Sequence, residues 1–125
     1  MEQRDRPDNR IAPFYAAMVD GGVSVYLSGH ESDYERFAPL DDSHEPDANG
    51  VRQFVVGTGG QSLYEPQTGD AAWRETFDPI PSEAFDAAHH GFLELTLDDG
   101  SYSWAFVTDT GSVTDSGTSP CSQRG

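Results

Sequence analysis

The chain has 125 residues, with 22 Asp and Glu against seven Arg and no Lys, for a formal net charge of −15. That length fits one domain or one large piece of a domain, and a surface this acidic disfavours binding of nucleic-acid backbones or anionic membranes through a basic face. No stretch is long and apolar enough to span a bilayer, and the single cysteine, Cys121, has no second cysteine with which to form an internal disulfide.

Residues 1–10 (MEQRDRPDNR) are polar and read as a disordered lead-in. They lack the apolar core of a secretory signal, so as written the chain carries no export address and reads as cytoplasmic, which by itself leaves its location open. Ile11 to Asp20 reads as a short helix, with Pro13 in its first turn and Phe14, Ala17 and Met18 forming an i, i+3, i+4 stripe. Gly21 and Gly22 end it. Val23 to Ser28 alternates apolar and polar residues and predicts a strand. Gly29 is placed to turn the chain sharply at the strand end, leaving His30 on the loop beyond, where ligand sites of layered αβ folds tend to lie.

Residues 38–50 form a polar loop, and Val51 to Gly57 predicts a second strand with a glycine-rich exit at Thr58-Gly59-Gly60. Residues 61–90 read as a long irregular loop anchored by Trp73, Phe77 and Phe85, a covering insertion over an apolar surface. The last third reads as a β-meander. Leu93, Leu95 and Leu97 share one face of the first strand, Asp98-Asp99-Gly100 makes the turn, and Tyr102, Trp104 and Phe106 share one face of the return strand. Val113 to Ser116 predicts a short edge strand, followed by a flexible tail over 119–125. There is no internal repeat and no linker between domains.

His30 carries the chemical interest. A neutral imidazole at a strand-end turn suits a divalent metal. The run Ser28-Gly29-His30-Glu31-Ser32-Asp33-Tyr34-Glu35-Arg36-Phe37, with VRQFVVGTGG and the GFLELTL/SYSWAFV hairpin, resembles the C-terminal portion of calcineurin-like metallophosphoesterases, near the purple acid phosphatase branch and the bacterial alkaline phosphatase relatives. The resemblance runs from about Ile11 to Cys121. It implies an α+β, mostly β fold: the C-terminal half of a four-layer αββα sandwich over residues 11–118, with a short helix and a mainly antiparallel sheet.

In that family the loop reads Gly-His-x-His followed by x-Tyr-Glu-Arg, and its two histidines bind a dinuclear centre that hydrolyses phosphoric monoesters. By this resemblance His30 is a metal ligand. Ser32 stands at the second histidine position, and a hydroxyl is a poor substitute for an imidazole. Glu31 and Asp33 flank the gap as oxygen donors. Gly29, Ser32, Asp33, Tyr34, Glu35 and Arg36 are expected to support the loop, with Glu35 and Arg36 pairing and Tyr34 packing. Gly57, Gly59 and Gly60 are expected to serve close packing.

The family's earlier motifs (Asp-x-His, Gly-Asp-x-x-Asp or -Tyr, Gly-Asn-His-Glu/Asp and a further lone His) do not occur in the sequence. The resemblance therefore implies iron, zinc, manganese or calcium in the parent family and a truncated metallophosphoesterase that is inactive alone. The partner would be an N-terminal half or a second copy of the chain. The other reading is a non-catalytic, acidic, β-rich interaction module. In either case half a sandwich is expected to expose a sheet edge and a face, with the face of Tyr102, Trp104 and Phe106 as the candidate patch. His44 is expected on a solvated acidic loop, and His89-His90 at a strand entry.

Overall fold

The computed structural model describes residues 12–63 and 82–123. In chain order it has a helix α1 (Ala12–Asp20) and strands β1 (Val25–Ser28), β2 (Tyr34–Arg36), β3 (Arg52–Val56), β4 (Ala84–Asp86), β5 (Gly91–Asp98), β6 (Ser101–Thr108) and β7 (Val113–Pro120). One sheet has the order β1-β3-β2-β4 and the other β5-β6-β7. β1 runs parallel to β3, and all other pairs are antiparallel. The result is one short helix and a mostly β fold, as the sequence implied. No helix among the described residues is long and apolar enough to cross a membrane.

The helix ends where glycine permits. Gly22 takes φ 76°, its N–H bonds to the Val19 carbonyl and the Val23 N–H reaches back to the Met18 carbonyl, which closes the last turn in a left-handed cap. Its buried face is Tyr15, Met18 and Val19, whereas Phe14 is 59% exposed. The expected stripe of Phe14, Ala17 and Met18 is therefore turned by one residue. The cause is polar. The Tyr15 hydroxyl lies 3.1 Å from both the Leu40 and Val51 carbonyls, and this pair is itself an isolated bridge. Tyr15, Met18, Val19, Leu40 and Val51 form the core between the helix layer and the first sheet, with Tyr26 packed against it.

The opposite face of that sheet meets the second sheet. The register puts Val25 beside Arg52 and Arg36 beside both Phe54 and Ala84, so these side chains share a face by strand alternation. Tyr34, Phe54, Tyr102, Trp104 and Phe106 make the second core. Tyr34 stacks on Phe106 with ring centres 4.3 Å apart, and Phe54 meets Trp104 edge-on at 5.7 Å. The face of Tyr102, Trp104 and Phe106 is thus not the exposed patch that half a sandwich suggested. The three are 2%, 6% and 0% exposed, because the chain's own first sheet covers them. The far face of the second sheet carries a cross-strand row of Thr96, Ser103 and Thr118, with the two hydroxyls of Ser103 and Thr118 2.9 Å apart. Such a face is at ease in water.

Four further expectations are corrected. Tyr34–Arg36 is a strand and not a loop, and Ala84–Asp86 is a strand within what reads as an irregular 61–90 segment; Trp73 and Phe77 lie outside the described residues. The last strand runs to Pro120, not Ser116. Residues 119–123, read as flexible tail, are bonded: the Cys121 N–H to the Gly100 carbonyl, the Ser122 N–H to the Ser24 hydroxyl, and the Gln123 N–H to the Asn49 side chain. The lead-in 1–10 and the final two residues lie outside the described residues.

Candidate functional site

β1 and β3 are parallel neighbours, so their C-terminal ends share one rim, and the loops leaving them, with His30 and with Gly57 to Gly60, emerge together. This is where ligand sites of parallel strands tend to lie. His30 is exposed at the end of β1 and has φ 73°. The Glu31 N–H bonds to the Gly29 carbonyl at 2.9 Å, so His30 is the central residue of a γ-turn at positive φ, a rare and strained conformation. The sharp turn expected of Gly29 is made by His30 itself. Holding a histidine there costs about 1–3 kcal/mol, and strain of this kind concentrates at functional sites.

Beyond His30 the chain turns inward. Glu31, Ser32 and Asp33 are 2%, 8% and 0% exposed, and neither Glu31 nor Asp33 is without a partner. The oxygen donors beside His30 are sunk in the protein while its imidazole stands on the surface. Gly57 allows this descent. A Cβ on Gly57 would fall 1.8 Å from the Glu31 carbonyl oxygen, and the Gly57 N–H bonds to the Asp33 carbonyl. Close packing is therefore the role of Gly57, whereas Gly59 and Gly60 have open space around them. From the helix side of the sheet, Gln53 donates to the Ser28 hydroxyl at 3.0 Å, one residue before Gly29.

The supporting residues divide by strand alternation. Tyr34 and Arg36 point between the sheets, and Glu35, fully buried, points to the helix side. The expected Glu35–Arg36 pairing is replaced, because adjacent residues of a strand face opposite ways. Arg36 instead gives Nε to Asp115 at 2.8 Å and NH2 to the other Asp115 oxygen at 3.1 Å, and its NH1 pairs with Glu83. Asp115 also accepts from the Tyr34 hydroxyl at 2.5 Å and the Trp104 indole at 3.1 Å. Arg52 gives NH1 to Glu83 at 2.9 Å and Nε to the Tyr102 hydroxyl at 3.0 Å. Both guanidinium carbons lie over the Trp104 ring, at 5.0 and 4.7 Å from its centre.

Burial alone would push the Asp115 carboxyl up; the hydrogen bonds and charge of Arg36, with the bonds from Tyr34 and Trp104, outweigh it and hold the carboxyl below its ordinary range. Burial and then Asp115 push the Tyr34 phenol up. Sequence reasoning placed Tyr34 and Arg36 but missed Asp115, Glu83 and Arg52. The available signal was an acid inside a Thr/Ser-rich strand opposite an aromatic strand.

The other histidines are engaged elsewhere. His44 takes φ 62° and lies over Tyr15 with ring centres 4.8 Å apart. His89 pairs with Asp86 at 3.0 Å, and the His90 Nε2 lies 2.9 Å from the Gln61 carbonyl. Among the described residues, no three of His, Cys, Asp and Glu come together to hold an ion. With Ser32 buried at the second histidine position, one exposed imidazole does not make a two-metal centre.

The family described as "Iron/zinc purple acid phosphatase-like protein C" matches residues 50–116. The structure of purple acid phosphatase PPD1 isolated from yellow lupin (Lupinus luteus) seeds is similar, with a TM-score of 0.64 and 27% identity over 84% of this chain. The match covers 19% of the lupin chain, so these residues correspond to about a fifth of that enzyme. No curated protein matches.

Proposed function

Because the chain belongs to the iron/zinc purple acid phosphatase-like protein C family, we propose that it serves as the C-terminal part of a metal-dependent phosphoric monoester hydrolase, with His30 as one metal ligand. The observation that carries this reading is the strained γ-turn that holds His30, at φ 73°, on the rim where the parallel strands end. A neutral imidazole there offers a nitrogen lone pair to iron, zinc or manganese. Ser32 offers only a hydroxyl. The remaining ligands would come from polypeptide other than these 125 residues, and the 125 residues alone turn over no phosphate ester.

The test measures p-nitrophenyl phosphate hydrolysis with Mn, Zn or Fe added, alongside metal binding by calorimetry. The expected result is no turnover and weak binding that His30→Ala removes. A robust rate abolished by His30→Ala would overturn the inactivity of the isolated chain, while binding unchanged by that substitution would overturn the ligand role. His30→Gly is the control for folding, because glycine adopts positive φ without a Cβ clash, so it loses the ligand and keeps stability.

A second reading, a non-catalytic acidic interaction module, draws support from the completeness of the core between the sheets and the hydroxyl-bearing outer face of β5–β7. Specific capture of one partner with no metal dependence would favour it.

A further inference from the structure

Asn49-Gly50 is the single Asn-Gly step of the sequence. With no side chain on the following residue, the next backbone nitrogen has open access to the asparagine side-chain carbonyl, which makes such a step thermolabile. The reaction balances with water alone. The Gly50 nitrogen gives up its proton and bonds to the Asn49 Cγ, the Cγ–Nδ2 bond breaks, and ammonia leaves. Water then opens the five-membered succinimide at either carbonyl, giving aspartate or isoaspartate.

The fold opposes each part of that step. The Gly50 N–H donates to the Asp47 carbonyl at 2.8 Å and closes a β-turn, so the attacking nitrogen is engaged. The Asp47 carboxylate accepts the Asn49 N–H at 2.9 Å, and its charge disfavours a second negative charge on the Gly50 nitrogen. The C-terminal segment holds the other reactant. The Gln123 N–H donates to the Asn49 Oδ1 at 2.9 Å, and the Ser122 hydroxyl donates to the Asn49 carbonyl at 2.8 Å. Ser122 is itself anchored, its N–H on the Ser24 hydroxyl at 2.8 Å. For Cγ to swing over the Gly50 nitrogen, the Gln123 bond must break. Gly50 is buried, and a Cβ there would fall 2.2 Å from the Leu40 carbonyl oxygen, so the backbone has little room to adjust.

We propose that Asn49 is a latent deamidation site held closed by Ser122 and Gln123, and that isoaspartate formed there unseats the Leu40–Val51 pair beneath the helix. Isoaspartate carries the chain through Cβ and Cγ, which adds one backbone atom directly before Gly50. Leu40 and Val51 exchange two backbone hydrogen bonds, at 2.9 and 3.1 Å, and their carbonyls lie 3.1 Å from the Tyr15 hydroxyl. An added atom against so crowded a glycine moves that pair and, with it, the seat of α1. Aspartate leaves the backbone length unchanged and still offers an oxygen to the Gln123 N–H. The inference uses no residue of the His30 loop and stands apart from the metal reading.

The test incubates the full chain in mildly alkaline buffer and follows Asn49 by peptide mass spectrometry, with isoaspartate scored by enzymatic methylation. The same chain in urea gives the rate without the fold. The expected result is slow modification of the folded wild type and faster modification in urea. Gln123→Pro, which has no N–H to donate, reacts about tenfold faster than wild type while folded, the rate equivalent of one lost hydrogen bond. Ser122→Ala gives a smaller gain. Gln123 is exposed, and unchanged circular dichroism checks that the fold survives. Folded wild type modified as fast as the chain in urea overturns the proposal, and so does Gln123→Pro modified no faster than wild type. In the isoaspartate fraction the Leu40 and Val51 amides lose hydrogen-exchange protection, whereas Asn49→Asp keeps it. Protection that survives isoaspartate formation overturns the structural consequence.

Discussion

The two long sides of this sandwich are built on opposite principles. On the β4/β7 side the sheets are clasped by charge: Arg36 reaches Asp115 and Glu83, Arg52 reaches Glu83, and Trp104 lies under both guanidinium groups. On the β1/β5 side no ion pair joins the sheets among the described residues: Thr58 exchanges two hydrogen bonds with Gly91 at one end, and Leu27, Leu93 and Leu95 surround an open cleft. The difference teaches how a partial fold can keep its own core. A closed polar seam holds the sheets in register on one side, and an open apolar cleft marks the other. A part-buried ion network is costly to desolvate, so it stabilises only when every member is partnered. Asp115, with four donors from three side chains on its two oxygens, meets that condition.

The largest expected effect is therefore at Asp115. Asp115→Ala strips the acceptor from Tyr34, Arg36 and Trp104 and leaves a part-buried cation, at a cost of about 3 kcal/mol or more in urea unfolding. The same clasp sets an acid limit. The folded Asp115 carboxyl titrates below its unfolded value of roughly 3.9. Its stabilisation is complete above that pH and is lost as pH falls through the folded pKa, so unfolding midpoints should drop below about pH 4 and flatten in Asp115→Asn.

Next comes Gly117→Ala. A Cβ there would sit 2.4 Å from the Trp104 ring, and displacing that ring disturbs the seat of both arginines. A loss of about 1–3 kcal/mol is expected, with a changed tryptophan emission. A smaller effect lies away from the seam. Tyr15→Phe removes the hydroxyl that meets the Leu40 and Val51 carbonyls and costs about 1 kcal/mol. Burial, then the Asp41 charge, pushes the Tyr15 phenol up to about 12. Its contribution is complete below the unfolded value of roughly 10 and is lost as pH rises toward the folded one, so the wild type loses stability between those values and Tyr15→Phe loses less. The smallest effect is on the open side. Leu97, 73% exposed, should accept lysine within about 0.5 kcal/mol; a large loss there would mean that the open side already carries structure in the free chain.

Much of the fold was legible locally. The glycine pair after the helix, the alternation of Leu93 and Leu95, and the turn at Gly100, with φ 87°, are all formed as the pattern implies. β7 was legible only in part. Its middle lacks apolar residues because Gly117 makes room for Trp104 and Asp115 is an internal acceptor, so the strand has no hydrophobic alternation to read. The candidate site was legible in its identity and not in its geometry: His30 was marked by the residues around it, yet its γ-turn, and the burial of Glu31 and Asp33 next to it, depend on Gly57 arriving from another strand.

The sequence by itself determined the helix and the strands other than β2 and β4, the family resemblance and the replacement of a second histidine by Ser32, because those are properties of neighbouring residues and their spacing. Only the tertiary structure decided which face each strand buries, that the Trp104 face is covered by the chain's own first sheet, and that Arg36 answers to Asp115, 79 residues away, and not to Glu35 beside it. The physical reason is range. Periodicity and turn chemistry act over a few residues, whereas a salt-bridged seam exists only once two sheets have been brought face to face.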